Sequence, residues 1–219
     1  MFDQQAKDWW DLQGPAKGLH TTHPLRLLLL KSYVELADKQ VLDIGCGGGI
    51  MTEMLARSGA KATGIDAETA MIDIAKAHQG ELKINYQAAK LADFAKTKKT
   101  FDVITAYEVI EHVSDPAAFL EQCDQLLKPG GQIWLSTIDR TLKSFLLVIV
   151  AAEYLINLIP KGTHEYQKFI RPSELIALAE QQKWQVLTTK GYTYNPFNNS
   201  AKLCNNLNPN YIVGFQKNT

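Results

Sequence analysis

The sequence predicts an α/β fold in which a doubly wound, mostly parallel sheet carries an antiparallel edge hairpin and an apolar helical insertion. Three observations predict it. From Gln40 onward, short apolar runs alternate with amphipathic segments, the rhythm of strands joined by crossover helices. The first of those runs passes directly into a glycine-rich turn, "VLDIGCGGG", that opens a helix. The last two, "KWQVLTTKGY" and "NYIVGFQK", are joined by a connection without a clear helical period, as suits an antiparallel pair at an edge.

Taken in order, "HPLRLLLLKSYVEL" reads as a helix, "QVLDIG" as a strand, and "IMTEMLARSG" as a helix closed by Gly59. "AKATGID" is a strand, "AETAMIDIAKAHQ" a helix and "LKINYQ" a third strand. "TFDVITAYEVI" follows as a strand with its exit turn, then "DPAAFLEQCDQLLKPGG" as a helix ending at Pro129, and "QIWLSTI" as a strand. Runs this apolar suit parallel strands buried on both faces, with a ligand beyond their carboxyl ends.

Composition bounds the function. A chain of 219 residues that is 46% apolar can bury one substantial core, and no Pro/Ser/Gly-rich linker divides it. Lys+Arg and Asp+Glu stand at 23 each, which leaves no electrostatic footprint for nucleic acid. Cys46, Cys123 and Cys204 form no CxxC pair, and no basic segment followed by an apolar stretch opens the chain. A reducing, cytoplasmic setting is expected.

The sharpest local signal is the set Gly45, Gly47, Gly48 and Gly49 between strand and helix. Glycines there admit positive φ and close approach of a ligand, and the helix that follows presents free N–H groups. About 20 residues on, the second strand ends in Asp66, where a carboxylate can accept both hydroxyls of a ribose. A glycine turn alone could be a tight connection; strand, glycines, helix, strand and acid in order point to a nucleoside. Ile50 and Met51 break a G-x-G-x-x-G pattern, and no Gly-Lys-Ser/Thr makes a phosphate loop.

A second signal is "AYEVIEHVSDP". If its turn is helical, Glu108, Glu111 and His112 share one face at the carboxyl edge of the sheet. Two carboxylates and an imidazole there could bind a divalent cation, or could cap and solvate a helix.

"VLDIGCGGG", "GID", "FDVI", "EHVSDP" and "LKPGG" together resemble a class I, Rossmann-like S-adenosylmethionine-dependent methyltransferase over Val41 to Thr137. The resemblance implies that the loop with Gly45 and Gly47 abuts the methionine part of S-adenosylmethionine, that Asp66 holds the ribose, and that Asp43 supports the loop from behind. The flanks "WWDLQG", "LHTTHPLR", "KSFLLVIVAAEYLINLIPKGTHEYQKFIRPSEL" and "GYTYNPFNNSAKL" are similar to the ubiquinone-biosynthesis O-methyltransferase family. That likeness makes Arg26 a cofactor contact, expected at the methionine carboxylate, and Tyr107 a residue lining the cofactor. One departure concerns the adenine: many relatives carry an acid after the third strand, where "YQAAKL" offers none.

The family likeness implies methylation of a hydroxyl on a polyprenylated catechol, of the demethylubiquinol or 2-polyprenyl-6-hydroxyphenol type. A phenol has a pKa of about 10, so its proton must be removed or pre-empted. Glu108, Glu111 and His112 are accordingly expected as catalytic residues holding Mg²⁺ or another divalent cation, with His112 as general base should no metal bind. Two rivals share the cofactor residues: an O-methyltransferase for another small phenol or acid, and a non-catalytic cofactor-binding component of a biosynthetic complex.

Other aromatic groups carry paired readings. Trp9 and Trp10 could close over an aromatic acceptor or be buried in the core; His20 and His23 could touch the acceptor or cap a helix, His164 could line the pocket, and His78 suits a helix dipole. The stretch "SFLLVIVAAEYLINLI" is shorter than the roughly 20 apolar residues that span a bilayer, and Glu153 interrupts it. It could be a core helix, the wall of a substrate tunnel, or a surface segment with Lys143 and Lys161 at its ends. The family likeness favours contact of 142–159 with lipid or a prenyl tail, peripheral association with the inner face of the membrane, and partnership in a ubiquinone-biosynthesis complex. The expected organisation is one domain: a helical lid at 1–38, a cofactor-binding core at 39–140, the apolar insertion at 141–172, and a C-terminal helix with edge strands at 173–219.

Overall fold

The structure, a computed structural model, describes residues 8–141 and 168–219. The expected insertion, with its lipid contact and His164, falls almost wholly outside them. Helix α1 (Lys17–Lys31) leads into a Rossmann-type alternation: β1 (Gln40–Ile44), α2 (Ile50–Arg57), β2 (Lys61–Asp66), α3 (Thr69–His78), β3 (Asn85–Ala88), α4 (Leu91–Ala95) and β4 (Phe101–Tyr107). A 3₁₀ turn at Ile110–His112 precedes α5 (Pro116–Leu126) and β5 (Leu127–Ile138); α6 (Pro172–Gln181), β6 (Trp184–Asn195), β7 (Ser200–Cys204) and β8 (Asn210–Lys217) complete the fold.

All eight strands form one sheet in the order β3-β2-β1-β4-β5-β8-β6-β7. The pairs from β3 through β5 are parallel, and those linking β5, β8, β6 and β7 are antiparallel. Alternation along the strands feeds two cores. Leu42, Ile104, Ile133 and Leu135 pack with Phe119 and Leu120 of α5 and Leu175 of α6. Their neighbours Val41, Val103 and Trp134 pack with Leu29 and Leu30 of α1 and Leu55 of α2 on the other side. Both faces of the strands are therefore covered, the condition that near-continuous apolar runs require.

Local chemistry sets the helix starts. Asp115 caps α5 by accepting the Ala118 N–H at 3.0 Å, with Pro116 in the first turn where a missing N–H costs nothing. Three boundaries differ from the sequence expectation. Helix α1 begins at Lys17, ahead of His23, and ends at Lys31, because the chain must turn back to deliver Gln40 to β1. Helix α5 stops at Leu126, and "LKPGG" belongs to β5: Leu127 pairs with Phe101, and the ladder absorbs the extra residues in a register shift before Val103. The last two apolar runs are neighbours, but β8 inserts between β5 and β6, and the edge is an additional strand, β7, formed where the Asn-rich stretches suggested only turns. Among the described residues, no helix is long and apolar enough to cross a membrane.

Candidate active site

The carboxyl ends of β1, β2 and β4 meet where the first strand turns into α2. Gly45 has φ +67°, and a Cβ there would stand 2.5 Å from Val109 Cγ2, so both conformation and space demand glycine. Asp66 fastens the loop: its Oδ2 accepts the Gly47 N–H at 2.9 Å and its Oδ1 accepts the Glu68 N–H at 2.9 Å. Each oxygen keeps a lone pair for a ribose hydroxyl. Behind the loop, buried Asp43 accepts from Thr52 Oγ1 at 2.6 Å and Thr105 Oγ1 at 2.7 Å, tying β1 to α2 and β4. Burial pushes its carboxyl up to about 6, against the pull of those two hydroxyls.

Arg26, 2% exposed, reaches in from α1. Its Nη2 donates to Glu108 Oε1 at 2.5 Å and to the Tyr192 hydroxyl at 2.6 Å, and its guanidinium carbon lies 5.3 Å from the Tyr107 ring centroid. Arg26 Nη1 meets His23 Nδ1 at 3.1 Å. Arginine only donates, so Nδ1 is the acceptor and the neutral His23 carries its proton on Nε2. Burial, with Arg26 and His20 nearby, holds His23 well below the usual histidine range. The Tyr107 hydroxyl is buried and has no hydrogen-bond partner among the described residues.

Glu108 leaves β4 in the left-handed region, at φ +59°. Only Ile110–His112 are helical after it, so the shared α-helical face expected of Glu108, Glu111 and His112 does not form. Glu108 Oε1 also accepts from Tyr192 at 2.7 Å and Ser136 at 2.9 Å. Burial would raise its pKa, but Arg26 and these bonds outweigh that and hold the carboxyl below its ordinary value. Glu111 goes the other way, pushed well up by burial and by the Glu108 charge. Both Glu111 oxygens are buried and accept no hydrogen bond among the described residues. His112 is exposed and lines a cavity that Glu108, Gly45 and Asp66 also border.

The three expected ligands, Glu108, Glu111 and His112, are not gathered in this structure: among the described residues no group of three or more His, Cys, Asp or Glu side chains stands together to hold a metal. What is assembled is a pair of carboxyls, one with orphaned oxygens. Mg²⁺ commonly takes one or two carboxylates and fills its remaining positions with water and substrate oxygens, so the Glu108–Glu111 pair fits such an ion without His112.

Three cavities converge on Glu108. One of about 370 Å³ is lined by His23, Asp43, Gly45, Gly47, Asp66 and Tyr107. A second of about 810 Å³ runs past Asp66 to Ala89, Leu91 and His112. The third, about 630 Å³, lies under the N-terminal segment between Pro15, Leu19, Arg26, Tyr192 and Tyr194. The structure thus gathers Arg26, Asp43, Gly45, Gly47, Asp66, Tyr107 and Glu108 around one cleft. Tyr192 and Ser136 were not singled out from the sequence; Tyr192 stood inside the flank "GYTYNPF", and nothing local to Ser136 signals its role.

Comparison with known proteins agrees with this geometry. The model of a methyltransferase domain family matches residues 4–189. Magnesium protoporphyrin IX methyltransferase from Synechocystis PCC 6803 with bound SAH superposes with a TM-score of 0.70 at 18% identity, covering 91% of this chain and 84% of that one. A plantazolicin methyltransferase in complex with SAH gives 0.67 at 16% identity, covering 100% and 89%. At such identities these two show the fold alone. Fold, loop and family match define a class I S-adenosylmethionine-dependent methyltransferase.

Full-length relatives specify the family. The ubiquinone biosynthesis O-methyltransferase of Coxiella burnetii is 44% identical over 216 residues, 98% of this chain and 92% of that protein. That of Nitrosococcus oceani is 45% identical over 215 residues, 97% and 91% respectively. The chain belongs to the ubiquinone biosynthesis O-methyltransferase family, and its activity is S-adenosylmethionine-dependent O-methylation in ubiquinone biosynthesis.

Proposed function

We propose that the acceptor is a hydroxyl of a polyprenylated catechol, of the demethylubiquinol or 2-polyprenyl-6-hydroxyphenol type, and that its ring enters the cavity of about 630 Å³. The observation that carries this reading is the position of Glu108, which borders that cavity and both arms of the cofactor cleft. In this reading the methionine end of the cofactor lies against Gly45 and Gly47, with Arg26, the His23 Nε2–H and the Tyr107 hydroxyl as donors to its carboxylate. Asp66 takes the ribose, and Ala89 and Leu91, just past the end of β3, flank the adenine.

The sulfonium is already an activated methyl donor, so the protein's main task is to align the phenol oxygen with the methyl and exclude water. The O–CH₃ bond forms as the S–CH₃ bond breaks, and the phenolic proton leaves toward Glu108. Arg26, Tyr192 and Ser136 hold that carboxylate in one orientation. A divalent cation on Glu108 and Glu111 would add Lewis acidity, lowering the pKa of the catechol oxygens. His112 borders the adenine side of the cleft and is the base of second choice. The segment 142–159 is assigned to the prenyl tail and the lipid surface. The enzyme thus works in the cytoplasm at the inner face of the membrane, beside partners of the same pathway.

Transfer of a labelled methyl group to a short-chain prenylated catechol, with Mg²⁺ and then with excess EDTA, tests this. Product that disappears with EDTA supports acceptor and metal together; product indifferent to EDTA leaves the acceptor and removes the metal. Absence of product, with S-adenosylmethionine still bound, refutes the acceptor.

A further inference from the structure

We infer that Trp9 is a cofactor-contacting residue that roofs the glycine loop, and that the stack of Trp10 on His78 is the latch that keeps this roof closed. The inference rests on the reading that the loop at Gly45–Gly49 holds S-adenosylmethionine. Trp9 lies directly on that loop: a Cβ at Gly48 would stand 2.4 Å from its Cδ1 and 2.5 Å from its Nε1, and one at Gly47 would stand 2.9 Å from its Cζ2. The same indole borders both the cavity of about 370 Å³ and that of about 630 Å³, so it is a partition between cofactor and acceptor spaces. Its N–H is buried and has no acceptor among the described residues. A buried indole N–H normally finds a partner, and the carboxylate or ribose oxygens of the cofactor are the acceptors that this cleft would supply.

The latch is a chain of contacts ending on the helix that the loop opens. Trp10 stacks on His78 with ring centroids 3.4 Å apart and planes 8° from parallel. His78 Nδ1 meets Glu53 Oε1 at 2.7 Å, and Glu53, in the first turn of α2, also accepts from Arg57 at 3.1 Å. His20 Nε2 donates to the Trp9 carbonyl at 3.1 Å and fixes the backbone between the two indoles. Cofactor and product can exchange only when Trp9 swings off Gly48, so the grip of His78 on Trp10 sets the rate of that exchange.

S-adenosylhomocysteine is the probe: its affinity by calorimetry, and its release by stopped-flow tryptophan fluorescence, on the full chain. Trp9→Ala is expected to weaken binding about tenfold or more, and Trp9→Phe, which keeps an aromatic face without the N–H, by an intermediate factor. His78→Ala and Trp10→Ala are expected to speed release by about threefold or more and to raise KM for S-adenosylmethionine. Should Trp9→Ala fail to fold by circular dichroism, Trp9→Phe decides. Binding by the Trp9 variants within about twofold of wild type, or release from His78→Ala at the wild-type rate, overturns the inference. A wild-type chain that does not bind the probe overturns the placement of the cofactor itself.

Discussion

Arg26 Nη2 and Glu108 Oε1 lie 2.5 Å apart although 82 residues separate them in the chain. The contact joins α1 to the exit of β4, and Tyr192 from β6 closes the triangle. Three elements that share no local sequence thus meet where the cavities of about 370 Å³ and 630 Å³ both border Glu108.

Arg26→Ala leaves Glu108 without its cation. Breaking a buried pair costs about 3 kcal/mol at the lower end of its range, which applies because 26% of the Glu108 side chain is exposed. Urea unfolding should register that loss, and Arg26→Ala combined with Glu108→Gln should recover part of it, since no uncompensated charge remains. A double variant no more stable than Arg26→Ala would refute the pairing.

Gly45→Ala imposes two separate penalties, an alanine at φ +67° and a methyl 2.5 Å from Val109 Cγ2. The expected loss of stability is about 2 kcal/mol or more, with weaker cofactor binding. Val109→Ala should relieve the steric part alone, which a double-mutant cycle would show as a favourable coupling of about 1 kcal/mol.

Asp43, raised to about 6 in the folded chain, titrates nearer 3.9 when unfolded. Between those values the folded state holds the proton and the unfolded state does not, so this residue's contribution falls as pH rises through the window and is fully present only below it. Asp43→Asn does not titrate. Relative to wild type it should therefore gain about 2 kcal/mol between pH 4 and pH 7 in chemical denaturation, and a difference that stays flat with pH would contradict the shift.

Glu111→Gln keeps the shape of a neutral buried carboxyl but cannot lose a proton to become the anion that a bound cation would need. The proposed cation site predicts that Mg²⁺-dependent methyl transfer falls about tenfold or more while affinity for S-adenosylhomocysteine is preserved. Full activity in this variant would assign Glu111 to packing.

The glycine loop and Asp66 were legible because their signal is local: a strand, a turn needing positive φ and a second strand end lie within one crossover unit. The order of the C-terminal strands was not. Nothing in "NYIVGFQK" says that it pairs with β5 as well as β6, because register between distant strands is set by packing. Glu108, Glu111 and His112 do not share the helical face that their spacing suggested. Helical spacing assumes right-handed backbone from the first member onward, and Glu108 breaks it at φ +59°. Tyr192 and Ser136 lie 84 and 28 residues from Glu108, beyond any spacing rule.

Strand β8 follows every other described strand in the chain, yet in the sheet it stands between β5 and β6. Until it has been synthesised, β6 has no ladder connecting it to the parallel half, and the Tyr192 hydroxyl has no fixed route to Arg26 and Glu108. A chain on the ribosome that has not yet formed β8 can therefore shape its glycine loop but cannot hold Tyr192 against Glu108, so a product truncated before Asn210 would keep the loop and lack the anchored carboxylate.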